Sequence, residues 1–163
     1  WVLDICNAKV NDSCGFHVHM DAASFNLDTW KNLTLTYKHL EHLIDAFMPR
    51  TRRNNTYCKT LSGVSDERIK SVRTIDGLRE VFNNDRYHKV NFEAYSRHRT
   101  VEFRQHSGTT NFTKMENWIR FLNGLITFAK RSSLPSRMTL EGLPFLDGKQ
   151  KLFFKLRTKK LAV

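Results

Sequence analysis

Three short runs of this sequence hold side chains that are costly to keep on a strand for packing alone. In Gly15-Phe16-His17-Val18-His19-Met20, two imidazoles alternate with apolar residues. In Thr100-Val101-Glu102-Phe103-Arg104-Gln105-His106, a carboxylate, a guanidinium and an imidazole alternate in the same way. A third run, Lys89-Val90-Asn91-Phe92-Glu93-Ala94, repeats the pattern. Alternation by two is the period of a β-strand, so each run carries polar groups on one face and apolar groups on the other. A sheet face turned to water accounts for any one such strand taken singly. Solvated faces are usually built of Thr, Ser, Lys and Glu. Carboxylate and neutral imidazole together ligate divalent cations, and Arg clamps phosphate or carboxylate through paired N–H donors. The three runs jointly fit a metal-and-anion site. Each alone is a weak signal, because paired strand histidines are often structural and an exposed Glu102–Arg104 pair is worth little. His39, His42, His88 and His98 carry no argument beyond helix-surface or loop roles.

The elements that must position these runs follow from periodicity. Strands are expected over 14–21, 87–95 and 100–106, the last two forming a hairpin through a turn at 97–99. Between 27 and 48, Trp30, Leu33, Tyr37, Leu40, Ile44 and Phe47 recur at helical spacing, after a cap at Asn26 or Asp28 and before the stop at Pro49. Residues 50–64 are rich in Arg, Asn, Thr, Ser and Gly and read as a long loop, the kind that often carries function. Short helices over 66–72 and over 75–82, the second capped by Thr74, are followed by a long helix over 113–130. Residues 132–148 form a loop, and a basic helix over 149–161 closes the chain. Without regular βαβ alternation this is an α+β protein, with a mainly antiparallel sheet and helices packed on one face. The length of 163 residues fits one domain, 1–163.

Composition narrows the function classes. With 27 Lys and Arg against 16 Asp and Glu, the formal charge is +11. That charge suits nucleic acid, or anionic substrates such as nucleotide phosphates, and the basic residues are spread along the chain rather than gathered into one stripe. Three cysteines without metal-type spacing argue against a disulfide framework and for a reducing, cytoplasmic setting. No apolar stretch is long enough to span a bilayer, so no membrane partner is expected. No export signal is visible, and the Asn-x-Ser/Thr triplets at Asn11, Asn32, Asn54 and Asn111 carry no weight.

The run 13–21 (SCGFHVHMD), the segment 49–58 (PRTRRNNTYC), the strand 86–91 (RYHKVN) and the run 100–109 (TVEFRQHSGT) before a Trp-containing helix occur in an order and spacing that resemble the amidoligase family. More distantly, the Gly-x-His-x-His and Val-Glu-Phe-Arg strands are similar to those of glutamine synthetase and glutamate-cysteine ligase. The resemblance implies a glutamine synthetase-like catalytic fold. It also implies an enzyme that phosphorylates a carboxylate with ATP and lets an amine displace the phosphate. The family's phage and bacterial occurrence implies a small-molecule or peptide carboxylate and amine.

Carried onto this sequence, the resemblance makes His17 and Glu102 the ligands of Mg2+. Arg104, His19 and His106 become the groups around the reacting atoms. Lys89, Arg99, Arg53 and Asn91 become nucleotide- or anion-binding groups, and residues 50–57 a lid or phosphate-binding element. One departure stands out: the paired-glutamate strand with which such enzymes usually begin does not precede Ser13. The expectation is a fold incomplete at its amino terminus, covering about the carboxyl-terminal two thirds of the family domain, its missing strand possessed by a longer protein or lent by a partner chain. Two other classes compete. His17-Val18-His19 also matches the metal motif of DNA-nicking and replication-initiator domains, with Tyr57, Tyr87 or Tyr95 as nucleophile. A non-catalytic basic module that keeps the ligase fold is the third.

Overall fold

The computed structural model describes residues 2–162. The chain runs α1 (Val2–Ile5), β1 (Val18–Asp21), α2 (Leu27–Ala46), a 3-10 turn (Arg50–Arg52), α3 (Asp66–Ser71), α4 (Ile75–Val81), β2 (Val90–Asn91), α5 (Ala94–His98), β3 (Thr100–Phe103), α6 (Phe112–Ala129) and α7 (Gly148–Leu161). The α+β class expected from the pattern is the one observed. Among the described residues no helix is long and apolar enough to cross a membrane.

Local chemistry sets the helix starts. The side chains of Asn26, Ser65, Thr74, Asn111 and Asp147 each accept a hydrogen bond from the backbone N–H three residues on, satisfying a donor that the first helical turn leaves unpaired. Helix α2 then buries Trp30, Leu33, Tyr37, Leu40 and Ile44 along one stripe. The Tyr37 ring lies 5.8 Å from that of Phe103 on β3, which sets α2 against the apolar side of the sheet. Helix α6 packs on α2 through Trp118, Phe121, Leu122, Leu125 and Ile126, and one continuous set of buried apolar side chains extends from Val18 to Phe154.

The sheet has three strands in the order β1-β3-β2, both pairings antiparallel. Val18 and Val90 both face Phe103 in register, and Met20 faces Val101, so these side chains form the layer under α2. His19, Glu102 and Asn91 are also partners in register, so they stand in one cross-strand row on the opposite side.

All three expected strands are shorter than the alternation implied, β3 ending at Phe103 rather than at 106. The run 14–21 is regular only from Val18, although Gly15 still bridges Ser107. The run 87–95 is a strand at Val90–Asn91 alone. There the Asn91 Oδ1 accepts the Glu93 N–H at 2.9 Å and the Phe92 carbonyl accepts the Tyr95 N–H at 3.2 Å, turning the chain into α5. The expected turn at 97–99 is the end of that helix, closed by Arg99 in the left-handed region at φ 55°. β2 and β3 pair as expected, with a helical turn in place of a tight hairpin.

Helix α7 is fastened by little apolar surface, since Gln150 and Phe154 are its buried residues. Phe154 sits 4.4 Å from the Phe47 ring and 5.5 Å from that of Phe121. Truncating such a side chain forfeits its transfer energy and leaves a cavity. Phe154→Ala is expected to lower unfolding free energy by roughly 3–5 kcal/mol, read by urea denaturation; a loss below about 1 kcal/mol would show that α7 is not part of the folded unit.

Candidate functional site

Glu102 occupies the middle of the central strand with two cross-strand neighbours and is 5% exposed. Its Oε2 accepts from Asn91 Nδ2 at 2.6 Å, and its Oε1 accepts from Arg104 Nη1 at 2.7 Å. His17 Nδ1 lies 3.0 Å from the same Oε1. Arg104 Nη1 is 3.4 Å from that imidazole nitrogen, but a nitrogen donating to Glu102 has no lone pair to offer it. Burial by itself would raise the Glu102 pKa. The hydrogen bonds from His17 and Asn91 and the charge of Arg104 outweigh it and hold the carboxyl down at about 2.

Backbone geometry makes this cluster possible. The ring of His17 folds back over Gly15, where a Cβ would stand 2.6 Å from His17 Nε2 and 3.1 Å from Arg52 Nη2. Glycine at 15 is therefore what lets Nδ1 reach Glu102. The strand end is clamped from below. Arg52, buried, donates from Nε to the Gln105 carbonyl at 3.3 Å and from Nη2 to the Arg104 carbonyl. The Gln105 side chain accepts from Tyr37 Oη at 2.7 Å and donates to Asp45 at 2.5 Å.

A cavity of about 140 Å3 opens beside Glu102, lined by His19, Asn91, Glu93, Arg86, Arg97 and His98 among others. Its two carboxylates are already neutralised. Glu102 is paired with Arg104, and Glu93 takes two bonds from Arg79 at 2.6 and 2.8 Å. The guanidiniums of Arg86 and Arg97 leave the cavity net positive. Its size admits one oxyanion group, well short of the about 300 Å3 at which whole-ligand pockets begin. Arg104 Nε, buried, has no hydrogen-bond partner among the described residues. Arg104 lies outside the cavity's lining and adjoins it through its pair with Glu102; its orphaned donor is of a kind that an anion satisfies. His19 stands at the cavity's edge, its Nδ1 2.9 Å from Thr100 Oγ1 and its Nε2 3.8 Å from Glu102.

Of the residues expected from the sequence, the structure brings together His17, His19, Asn91, Glu102 and Arg104. Lys89 is elsewhere: it is 1% exposed, and its ammonium turns to α2, 3.2 Å from Glu41 and 2.8 Å from Asp45. Those carboxylates consume the charge that a nucleotide would need. Arg99 is exposed at the end of α5 with its guanidinium over the Tyr95 ring, 4.9 Å from the centroid. Arg53 donates to the Met48 carbonyl at 3.1 Å. His106 lies in the interior, 5.6 Å from the Trp118 ring and bonded to the Ser107 carbonyl at 2.7 Å. Sequence reasoning missed Arg52, Arg86 and Arg97 as contributors. The 50–53 cluster was a signal for Arg52, whereas alternation offers no reason to choose Arg86 or Arg97.

The fit to magnesium is poor. Among the described residues no group of three or more His, Cys, Asp or Glu side chains is placed to hold a metal ion. Glu102 has both oxygens engaged, and Mg2+ asks for carboxylate oxygens in near-octahedral order. A phosphoryl or carboxylate group fits the same surroundings.

The fold and site thus define an α+β protein with a buried Glu102–Arg104 pair on its central strand beside a small cationic cavity. The family model described as "Putative amidoligase enzyme" matches residues 2–126, and the chain belongs to that family of ligase-type proteins. No curated protein and no solved structure matches the chain, so the likeness to glutamine synthetase rests on the motifs.

Burial holds the His106 pKa down to about 4, against an ordinary 6.5. The unfolded chain takes up this proton first as pH falls. Stability is therefore full above 6.5, declines between 6.5 and 4, and levels off below, a drop of roughly 3 kcal/mol at 1.36 kcal/mol per unit. Urea unfolding at pH 7 and pH 4 is expected to show this drop in the wild type and to lack most of it in His106→Asn. Equal acid sensitivity in the two proteins would place the titrating group elsewhere.

Proposed function

We propose that the protein is an ATP-dependent carboxylate–amine ligase. A substrate carboxylate oxygen attacks the γ-phosphorus of ATP and ADP leaves. An amine then attacks the carbonyl carbon of the acyl phosphate, inorganic phosphate leaves, and an amide bond results. The observation that carries this reading is the Glu102–Arg104 pair, buried on the central strand with the Arg104 Nε unpartnered, beside the Arg86 and Arg97 cavity, in a chain of the amidoligase family.

The positions of the chain's own groups support a role for each. Arg104, held by Glu102, gathers negative charge on the carboxylate and then on the phosphoryl oxygens, where a fixed donor outperforms water because it needs no reorientation, and the exposed Arg86 and Arg97 add positive charge. Glu102 keeps the Arg104 guanidinium in plane and in place. With Nδ1–H donated to Thr100 Oγ1, His19 presents the Nε2 lone pair at the cavity's edge, and it takes the proton that the attacking amine must lose. The family match supports this reading over DNA nicking. A covalent adduct between a tyrosine and single-stranded DNA would reverse that preference.

The test uses the full-length protein with ATP, magnesium, a panel of amino-acid carboxylates and hydroxylamine, which traps an acyl phosphate as its hydroxamate. Hydroxamate and ADP are expected to form together, and Arg104→Lys is expected to lower kcat/KM by about 100-fold to 1,000-fold with an unchanged circular dichroism spectrum. Absence of ATP binding, or hydroxamate formation undiminished in Arg104→Ala, would overturn the assignment.

A further inference from the structure

A second cavity, on the far side of α2, shares no wall with the Glu102 cluster. It measures about 690 Å3, within the range of about 300–1,000 Å3 typical of small-molecule sites. It lies on the side of α2 that turns away from the sheet: Lys38, His42 and Ala46 follow one another at four-residue spacing on the face opposite buried Leu33, Tyr37 and Ile44. Apart from Ser62, its other walls are the segment 136–141 and the α7 residues Lys155, Thr158 and Lys159, all beyond the 2–126 range that the family model matches.

Floor and rim differ in chemistry. The floor is apolar, made by Leu43, Ala46, Met138 and Leu140 with the Phe47 ring. The polar groups nearest to it are already engaged. Thr158 Oγ1 donates to the Phe154 carbonyl at 2.9 Å, Ser62 Oγ lies 3.4 Å from Glu41, and the Met138 carbonyl accepts from His42 at 3.2 Å. A ligand whose interior needs many hydrogen bonds, such as a nucleobase, finds few there. The rim is cationic: Lys38, Arg137, Lys155 and Lys159 surround the opening. Glu141 is the one carboxylate on the lining, 3.4 Å from Lys155, while Lys38 is held by Asp66 at 2.5 Å. Arg137 and Lys159 make no ion pair among the described residues.

An apolar interior with a positive mouth is complementary to an apolar chain with a negative end. We propose that this cavity is a binding site for an aliphatic carboxylate, its chain laid on the Leu43–Met138–Leu140 floor and its head group between Arg137 and Lys159. This site is independent of the ligase reading.

Calorimetric titration of the full-length protein with octanoate, decanoate, decan-1-ol and decyltrimethylammonium tests it. Each added methylene is expected to tighten binding about fourfold, so decanoate exceeds octanoate by about 16-fold. Decanoate is also expected to bind at least about tenfold tighter than decan-1-ol, and the cation not at all. Arg137→Glu with Lys159→Glu, both exposed, is expected to remove about tenfold or more from decanoate while leaving decan-1-ol unchanged; Ala46→Trp, which fills the floor, is expected to abolish both. The proposal is overturned if decanoate fails to bind at about 1 mM, if acid and alcohol bind alike, or if the rim variants bind decanoate as the wild type does. Failure here would leave hydroxamate formation at the Glu102 site untouched, so the two readings stand or fall separately.

Discussion

A carboxylate buried on the central strand must stay ionised, and the site is arranged around that requirement. Taking Glu102 out of water works against its charge, and Arg104, His17 and Asn91 together reverse the balance. Buried ion pairs are poor investments for stability, because well-packed apolar residues of the same volume often serve as well or better. Losing one partner, by contrast, leaves a bare charge in a dry place, which is severely destabilising. A cluster of this kind on a strand whose other face already packs against α2 is therefore better explained by what it holds than by what it stabilises.

Rigidity comes from a second polar layer on the helix side. Lys89 ties the β2 entry to Glu41 and Asp45, one turn apart on α2. Glu41 also takes the Leu61 N–H at 2.5 Å and the Thr60 hydroxyl, so the 58–62 segment is drawn to the same point. Asp45 and Tyr37 hold the Gln105 side chain while Arg52 holds the backbone carbonyls on either side. Arg104 is thus mounted on a strand end that can shift little. Donors fixed before the substrate arrives need no reorganisation when charge develops, and that is where electrostatic catalysis draws its advantage.

Much of this was legible in the residues. The helices α2, α6 and α7 and the Thr74 cap lie within about two residues of where they were expected, because capping and helical spacing are local. The row of His19, Glu102 and Asn91 was legible for the same reason: a two-residue period decides faces without knowledge of partners. Alternation misleads where strands stop being strands. Val90, Phe92 and Ala94 keep the alternating pattern while the backbone has already bent toward α5, and His106 lies beyond the end of β3 at Phe103, so the face assigned by alternation no longer applies. Lys89 was misplaced because its partners come from a helix more than forty residues away; Glu41 and Asp45, acidic on the buried side of α2, were the available sign.

The central claim is that Arg104 offers its unpaired Nε–H to an oxyanion. Proton–nitrogen spectra of the arginine side chains, with Arg104 assigned through its Lys variant, test this directly when acetyl phosphate, a small acyl phosphate, is titrated in. The account predicts a saturable shift of the Arg104 Nε–H signal while Arg79, committed to Glu93, stays in place. An Arg104 signal that does not move, or one that moves in step with Arg79, would contradict it.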